Sequence, residues 1–282
     1  MSDTPVRHSR RGLVIPFTIA GLLLAVWTGW WFWLADQVET RLAVQTESLR
    51  AAGWQVNHEP ASVGGWPFRV RVAFPAADVV APSGHGVAAS ELVAEANAWN
   101  PGRWMLIAPE GLILTRAGKG QVAVEGEALR LSISHLRDRF PDLRVELVRP
   151  TFTPVAGADP FPLASAERIE LYTRPHLTDG EAATDEMDVL FRLTEGRGRA
   201  GGPVEGTTRE GRLSAEVEAT IEQASRLRGV DSAGLFSSWT EAGGRFTAVK
   251  GRLQAGESSA TISSNALWAG EDGRLEGRLA LT

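Results

Sequence analysis

Two histidine–aspartate pairs are the residues of this sequence best suited to acid–base chemistry. His135 precedes Asp138, and His176 precedes Asp179, each by three residues in a predicted loop or strand end. An imidazole beside a carboxylate can move protons or hold a metal only where the fold fixes the pair. Neither pair has the H-E-x-x-H or H-x-x-x-H spacing of a helix-borne zinc site, and the other three histidines are scattered. We therefore expect surface polar residues here.

Other catalytic motifs are missing or lack their structural context. The chain has no cysteine, which excludes thiol nucleophiles, thiolate metal ligands and disulfides. It has no G-x-S-x-G elbow. Residues 196–201, "GRGRAG", match G-x-G-x-x-G, but "GPVEGTTREG" and not a helix follows, so no helix N-terminus is available for a pyrophosphate. The sequence therefore predicts a protein that is not an enzyme, with no catalytic, cofactor-binding or metal-ligating residues.

Charge is distributed unevenly along the chain. Residues 1–12 carry Arg7, Arg10 and Arg11 against Asp3, residues 13–34 carry no charge, and the remainder is mildly acidic. Because nucleic acid phosphates require a basic surface, the acidic body argues against a nucleic-acid partner.

An apolar segment, Leu13–Leu34, predicts a transmembrane anchor. As a helix it spans ~33 Å, enough for the hydrocarbon core of a bilayer. Its last third is rich in tryptophan, which favours the headgroup region, and arginines precede it, which favours a cytoplasmic N-terminus and a translocated body. The alternative is a cleaved signal peptide, but the run is long for one and no A-x-A pattern follows.

A second helical stretch continues from the anchor. Residues 35–53 contain neither proline nor glycine before Gly53, and Val38, Leu42 and Leu49 form a thin apolar stripe. We expect one helix to run through both segments, to leave the membrane as a solvated stalk, and to end with Gly53 as its C-cap.

From Trp54 onward the apolar residues alternate with polar ones. Residues 212–221, "RLSAEVEATI", show the period of two that is typical of half-buried strands, and similar runs recur to the end of the chain. The fold class predicted is mainly β: a transmembrane helix extended by a stalk helix, then a long antiparallel β-sheet, groove or sandwich. One short helix is predicted at 231–244, with Asp231 as its N-cap and a double glycine after it.

The predicted organisation has five parts. They are a cytoplasmic tail (1–12), the anchor (13–34), a juxtamembrane helix (35–53), a β-rich subdomain (54–165) and a second β-rich subdomain (166–282). Linkers are expected near 75–87, 150–165 and 174–185. A change of phase near Gly126–Ala128 predicts a bulge or twist point.

One strand near the start of the body presents an apolar face that must be covered. In "GGWPFRVRVAFP", residues 64–75, Phe68, Val70, Val72 and Phe74 alternate with arginines. Large aromatic residues lie nearby, in "WNPGRW" at 99–104 and just before the strand. The candidate apolar lining or membrane-interface residues are Trp66, Phe68, Val70, Val72, Phe74, Trp99 and Trp104.

Several of these motifs together carry a family resemblance. They are the "GWWFW" anchor end, "LRAAGW", "GGWPFRVRV", "SSWTEAGGRFTAVKGRL" and the final "GRLEGRLAL". The chain resembles a family of uncharacterised, inner-membrane-anchored periplasmic proteins of Gram-negative bacteria, and more distantly AsmA-like proteins. The AsmA-like resemblance implies lipid carriage along an apolar groove of strands. It also implies a further C-terminal portion beyond the amphipathic strand that ends at Thr282, as in longer relatives.

Three functions are compatible with these observations. The first is lipid handling in envelope maintenance, with membrane lipid or a lipid ligand as partner and acyl chains covering the apolar strand face. The second is a non-catalytic scaffold that binds another envelope protein. The third, a periplasmic hydrolase, ranks lowest because no nucleophile and base converge in the sequence. Whether the apolar interior is an open groove or a closed sandwich decides between the first two.

Overall fold

The computed structural model describes residues 11–202, 204–206, 212–227, 236–270 and 275–282. A long helix, α1 (Arg11–Ala51), and a five-residue helix, α2 (Ser237–Glu241), accompany the strands. The strands are β1 (Gln55–Asn57), β2 (Ser62–Gly64), β3 (Arg69–Val80), β4 (Gly86–Asn97), β5 (Asn100–Ile107), β6 (Leu112–Arg116), β7 (Gly120–Glu125), β8 (Ala128–Ser134), β9 (Asp142–Val148), β10 (Thr151–Pro154), β11 (Leu163–Ser165), β12 (Arg168–Thr178), β13 (Glu181–Gly198), β14 (Leu213–Glu222), β15 (Phe246–Ala255), β16 (Ser258–Ala269), β17 (Leu275–Gly277) and β18 (Ala280–Leu281).

Helix α1 confirms the prediction of one helix through both N-terminal segments. Its apolar part is long enough to cross a membrane, as an anchor or a signal sequence would. The helix ends as expected at Gly53, whose φ of 87° is readily adopted only without a Cβ. The Gly53 amide donates to the Arg50 carbonyl at 2.9 Å, and the Trp54 amide donates to the Leu49 carbonyl at 3.0 Å, which is a Schellman cap.

The described strands form one sheet, and every pairing in it is antiparallel. Most of the strands follow one another as hydrogen-bonded neighbours, and we call this series the main sheet. Its order is β2, β3, β4, β5, β8, β9, β12, β13, β14, β15, β16 and β18. The predicted mainly β fold is therefore confirmed. Strands from the two sides of the predicted boundary at residue 165 pair directly, β9 with β12 and β11 with β13, and the division into two subdomains stays a prediction.

A second series of strands leaves this sheet and returns to it. Strand β4 also pairs with β6, and the series continues through β7, β10 and β11 to β13. The two routes from β4 to β13 make a closed circuit of strand pairings. The change of phase near Gly126–Ala128 lies where the chain passes from one route, at β7, to the other, at β8. It is therefore a change of strand and not the bulge that the sequence predicted.

Two of the predicted linkers are largely wrong. Residues 75–80 continue β3, and Pro75 is tolerated there because it faces the gap between β2 and β1, where the Glu59 amide donates to its carbonyl at 2.9 Å. Around 174–185 the chain forms a tight hairpin between β12 and β13, with Asp179 at φ 54° and Gly180 at φ 87° as its turn. The predicted linker at 150–165 holds the short strands β10 and β11 around an irregular stretch.

The short C-terminal helix is confirmed in part. Helix α2 is shorter than predicted, and it ends with the expected glycines: Gly243 has a φ of 75°, and the Gly244 amide donates to the Trp239 carbonyl at 2.8 Å. The predicted N-cap, Asp231, lies outside the described residues.

Candidate functional site

One row of cross-strand partners crosses the whole main sheet and contains only apolar residues. Residues paired in an antiparallel sheet project from the same face, so the row can be followed from strand to strand. We call it the central row; it consists of Val63, Val72, Ala94, Leu106, Leu131, Val145, Leu171, Phe191, Val217, Gly251, Ile262 and Leu281. At ~4.8 Å per strand the row is ~50 Å long. The face that carries it is called the inner face.

Rows on either side of the central row are also largely apolar. Towards the N-terminal end of β3 the inner face continues through Val70, Ala96, Trp104, Ile133 and Leu143. Towards the other end, a shorter row follows Leu129, Leu147, Ile169, Leu193 and Ala215. The apolar strip is thus three residues wide on β8 and β9.

Three clusters cover parts of this inner face. Helix α1 packs Trp31, Leu34 and Ala35 against Val70 and Trp104. The second series of strands places Val122, Val124 and Phe152 against Leu129 and Leu147. At the β13–β15 end, Trp239 packs against Ile221, Met187 and Phe246.

The middle of the central row lies between these clusters and belongs to none of them. Seven of its side chains are partly exposed, and each lies outside all three clusters: Leu106, Leu131, Val145, Leu171, Phe191, Val217 and Ile262. The described structure therefore leaves an apolar strip, closed at both margins and open along its centre. Removing apolar surface from water stabilises a protein by ~25 cal/mol for each Å² buried, so an apolar ligand that covers the strip would bind favourably.

The outer face of the same strands is a ladder of charged residues. Glu146 accepts from Arg130 Nε at 2.8 Å and from Arg168 Nη1 at 2.7 Å. Glu170 accepts from the Tyr172 hydroxyl at 2.6 Å and pairs with Arg192 at 3.5 Å. Both carboxylates are buried beneath their partners. The carboxylates of Glu146 and Glu170 are thus paired within the outer face itself.

The pKa values of Glu170 and Tyr172 on the outer face respond to this ladder. Burial acts to raise the pKa of Glu170, but the hydrogen bond from Tyr172 and the charges of Arg168, Arg192 and Arg144 together hold it below its ordinary value. The same hydrogen bond, followed by burial, raises the pKa of Tyr172. Both shifts favour the charged carboxylate beside a neutral phenol, which is the arrangement that a stable ladder needs.

Three indole groups of α1 fix the helix to one corner of the sheet. Trp27 Nε1 donates to the Pro67 carbonyl at 2.8 Å, Trp31 Nε1 to the Arg69 carbonyl at 2.7 Å, and Trp30 Nε1 to the Ala98 carbonyl at 3.3 Å. Since all three acceptors lie at the start of β3 or just after β4, the tryptophan-rich part of the helix is held at this corner.

The predicted lining residues are divided between two environments. Val70 and Val72 are each 1% exposed, Phe74 is partly buried, and Trp104 packs in the cluster beneath α1, so these residues are part of the covered inner face. Trp66, Phe68 and Trp99 are instead 48%, 63% and 61% exposed. The rings of Phe68 and Trp99 meet edge to face at 6.5 Å. We call these three side chains the aromatic corner.

Each of the two histidines contacts an aspartate, but not the one that follows it three residues later in the sequence. His135 Nδ1 lies 2.8 Å from Asp142 Oδ2, and His176 Nδ1 lies 2.7 Å from Asp188 Oδ1. Asp188 also accepts from the Thr220 hydroxyl at 3.1 Å, within the polar outer face. No group of three or more potential metal-ligating side chains occurs in the part of the chain that the structure describes.

The sequence alone did not single out the residues of the open strip. Alternation placed Phe191 and Val217 on apolar strand faces, but only the register shows that they lie in one row with Leu131 and Ile262. A detectable signal is the recurrence of apolar alternation in successive strands, with polar or charged residues such as Glu216 at many of the intervening positions.

Comparison with known proteins gives one match. A family described as "Uncharacterized protein conserved in bacteria (DUF2125)" matches residues 31–282. No curated protein and no solved structure matches the chain. The more distant AsmA-like resemblance stays a prediction. Because the match covers the whole β-rich body and α1 from Trp31 onward, the chain belongs to this family of uncharacterized bacterial proteins.

Proposed function

We propose that this protein binds the acyl chains of lipids along the inner face of its sheet, as part of lipid handling in the bacterial envelope. The central row carries the proposal: it is apolar at every position over ~50 Å, and the side chains in its middle are partly exposed. An acyl chain has the shape and chemistry to fill a strip that is narrow, long and free of charge.

The elements that cover the inner face favour a groove and argue against a β-sandwich. In a β-sandwich a second sheet covers the whole apolar face, with the inner side chains interdigitating. Here the second series of strands covers only one margin, around Leu129 and Leu147. Helix α1 and the Trp239 cluster cover other margins, so the middle of the central row lies outside all three covered regions.

Location is the second part of the proposal. The apolar part of α1 is a retained anchor in the inner membrane, the N-terminus is cytoplasmic, and the β-rich body is periplasmic. The support is the arginine-rich tail before the helix and the docking of Trp27 and Trp31 onto the sheet, which gives the end of the apolar segment a structural role in the mature chain. A cleaved signal peptide has no such role.

The activity proposed is binding without catalysis. The polar clusters described here, such as the Glu146 and Glu170 ladder, pair internally on the outer face and lie on the opposite side of the sheet from the strip.

A scaffold function is the second candidate, and one observation favours it. At the β16–β18 edge of the sheet, Trp268, Leu275, Leu279 and Leu281 are all exposed. An exposed apolar edge can bind another protein, including by strand addition.

Photo-crosslinking from two adjacent residues of β13 tests the lipid proposal. Phe191 faces the open strip and Leu190 the outer face, so a benzophenone amino acid is placed at each position in turn in the full chain. After extraction in mild detergent and irradiation, we expect phospholipid adducts at Phe191 and none at Leu190, together with co-purified phospholipid by native mass spectrometry.

The outcomes separate the two functions. Adducts at neither position, with no co-purified lipid, contradict lipid binding. Protein adducts from the same photoreactive residue at Trp268, without lipid adducts at Phe191, support the scaffold function instead. Equal lipid adducts at Phe191 and Leu190 indicate detergent-like coating and also contradict a lipid-binding strip.

A further inference from the structure

We infer that the aromatic corner of the sheet, Trp66, Phe68 and Trp99, inserts into the headgroup region of the bilayer that α1 spans. This inference rests on the membrane anchoring proposed above. It adds that the β-rich body is not held away from the membrane on a stalk, but contacts the lipid surface directly.

The first step of the inference concerns the length of the apolar part of α1 that precedes its attachment to the sheet. From Leu13 to Val26 the helix is ~21 Å long, short of the ~30 Å hydrocarbon core. The next residues are already attached to the sheet, since Trp27, Trp30 and Trp31 donate to carbonyl groups of the corner. The helix reaches ~30 Å only if the segment as far as Trp33 also lies within the membrane or its interface.

The attachment then determines where the corner lies. The acceptors of the three indoles are the carbonyl groups of Pro67, Arg69 and Ala98, and the residues beside them are Trp66, Phe68 and Trp99. A helix that is inserted as far as Trp33 therefore brings these three side chains to the same depth. The body cannot be raised from the membrane without breaking the indole hydrogen bonds.

The exposed side chains at this level match the chemistry of the interface. On the sheet, Trp66, Phe68 and Trp99 are about half exposed or more, although Val70, two residues after Phe68, is buried. On the helix, Phe32 and Trp33 are exposed at the same level. Aromatic rings are favoured at the headgroup region of bilayers, so a lipid surface fits this patch.

Depth-dependent quenching in vesicles tests this inference with the full chain. Because the protein has no cysteine, single cysteines can be introduced as Phe68→Cys and Trp99→Cys and labelled with an environment-sensitive dye. The vesicles contain phosphatidylethanolamine and phosphatidylglycerol, with a nitroxide either near the headgroup or near the end of the acyl chain. We expect the dye at both positions to lose more emission to the shallow nitroxide than to the deep one.

Two control positions make each outcome interpretable. Leu23→Cys, on the exposed apolar part of α1, is expected to be quenched mainly by the deep nitroxide, and Trp268→Cys, exposed elsewhere on the body, by neither. Quenching at Leu23 without quenching at Phe68 and Trp99 overturns the corner insertion and leaves the anchor intact. Absence of quenching at Leu23 overturns the anchoring, and the inference with it.

A second measurement uses the native tryptophans, so that an attached dye cannot change how the corner contacts the membrane. In vesicles with brominated lipid, the native tryptophans lose part of their emission. The double variant Trp66→Phe, Trp99→Phe should show a smaller fractional loss than the wild type, whereas Trp268→Phe should show a larger one, because it removes an unquenched emitter. An unchanged fractional loss in the double variant overturns the inference.

Discussion

Glu170 and Leu171 are neighbours on β12, yet they lie in opposite situations. On the outer face, the Glu170 carboxylate is buried beneath arginines and a tyrosine that satisfy it. On the inner face, Leu171 is partly exposed between margins covered by other parts of the chain. The buried carboxylates of the polar face are paired within the protein, whereas the apolar face is covered only where α1, the second strand series or the Trp239 cluster lies on it. The apolar face is therefore the side of the sheet on which we place the proposed acyl-chain site.

The largest effect is expected where the inner face is fully covered. Trp239 is 0% exposed, and its Nε1 donates to the Glu222 carbonyl at 2.7 Å. Trp239→Ala leaves a large cavity and an unpaired carbonyl, so we expect the free energy of unfolding to fall by about 3–5 kcal/mol. Urea denaturation of the detergent-solubilised chain measures this, with Trp268→Ala, at an exposed tryptophan, as a control that should change little. An equal effect of the two variants would contradict the covered end described here.

A smaller effect is expected on the outer face. Glu170→Gln removes the charge at the centre of the ladder and leaves Arg192 and Arg144 less well paired, so we expect a loss of about 1–3 kcal/mol. Glu218→Gln is the matched control, because Glu218 lies on the outer face of β14 but is exposed. This substitution should lower the free energy of unfolding by less than about 0.5 kcal/mol. Similar values for the two variants would show that the ladder contributes no more than ordinary surface charges.

The pH dependence of the Glu170 variant has a definite sign. Because the pKa of Glu170 is lower in the folded protein than in the unfolded chain, its ionised form contributes stability above pH ~4. That contribution is lost as the pH falls through the lowered pKa. The difference between wild type and Glu170→Gln should therefore be largest near neutral pH and shrink below pH ~4. A difference that stays constant across this range would show that packing, and not charge, causes the loss.

Much of this comparison could be predicted from the sequence, because local pattern determines local structure. Alternation at 212–221 identifies β14 and both of its faces, and Gly53 marks the end of α1. The prediction of a linker near 174–185 was wrong, because Glu181 and its acidic neighbours are as compatible with an exposed strand as with a loop. The strip itself depends on register between strands distant in sequence, such as β5 with β8 and β9 with β12, and no local pattern specifies those partners.

The same limit applies to the aromatic corner. The sequence placed Phe68 with Val70 and Val72 because all three share one phase of the alternation. The structure separates them: β3 begins at Arg69, so Phe68 precedes the strand and is exposed, whereas Val70 is covered by α1. Which residues a helix covers depends on where it docks, and here the indole hydrogen bonds of Trp27 and Trp31 decide that.

The smallest expected effect is the sharpest test of an open strip against a closed core. Val→Thr keeps the shape of the side chain and adds one hydroxyl, which costs about 1–3 kcal/mol in a dry interior without a partner. Val122 is 0% exposed in the covered margin, whereas Val217 is partly exposed in the central row. We expect Val122→Thr to cost in that range and Val217→Thr less than about 0.5 kcal/mol in lipid-free protein, since water can reach the hydroxyl. If lipid is then added, the cost at Val217 should rise towards that at Val122, because acyl chains exclude that water. An equal cost at both positions without lipid would mean that the centre of the inner face is already closed, which contradicts the proposed acyl-chain site.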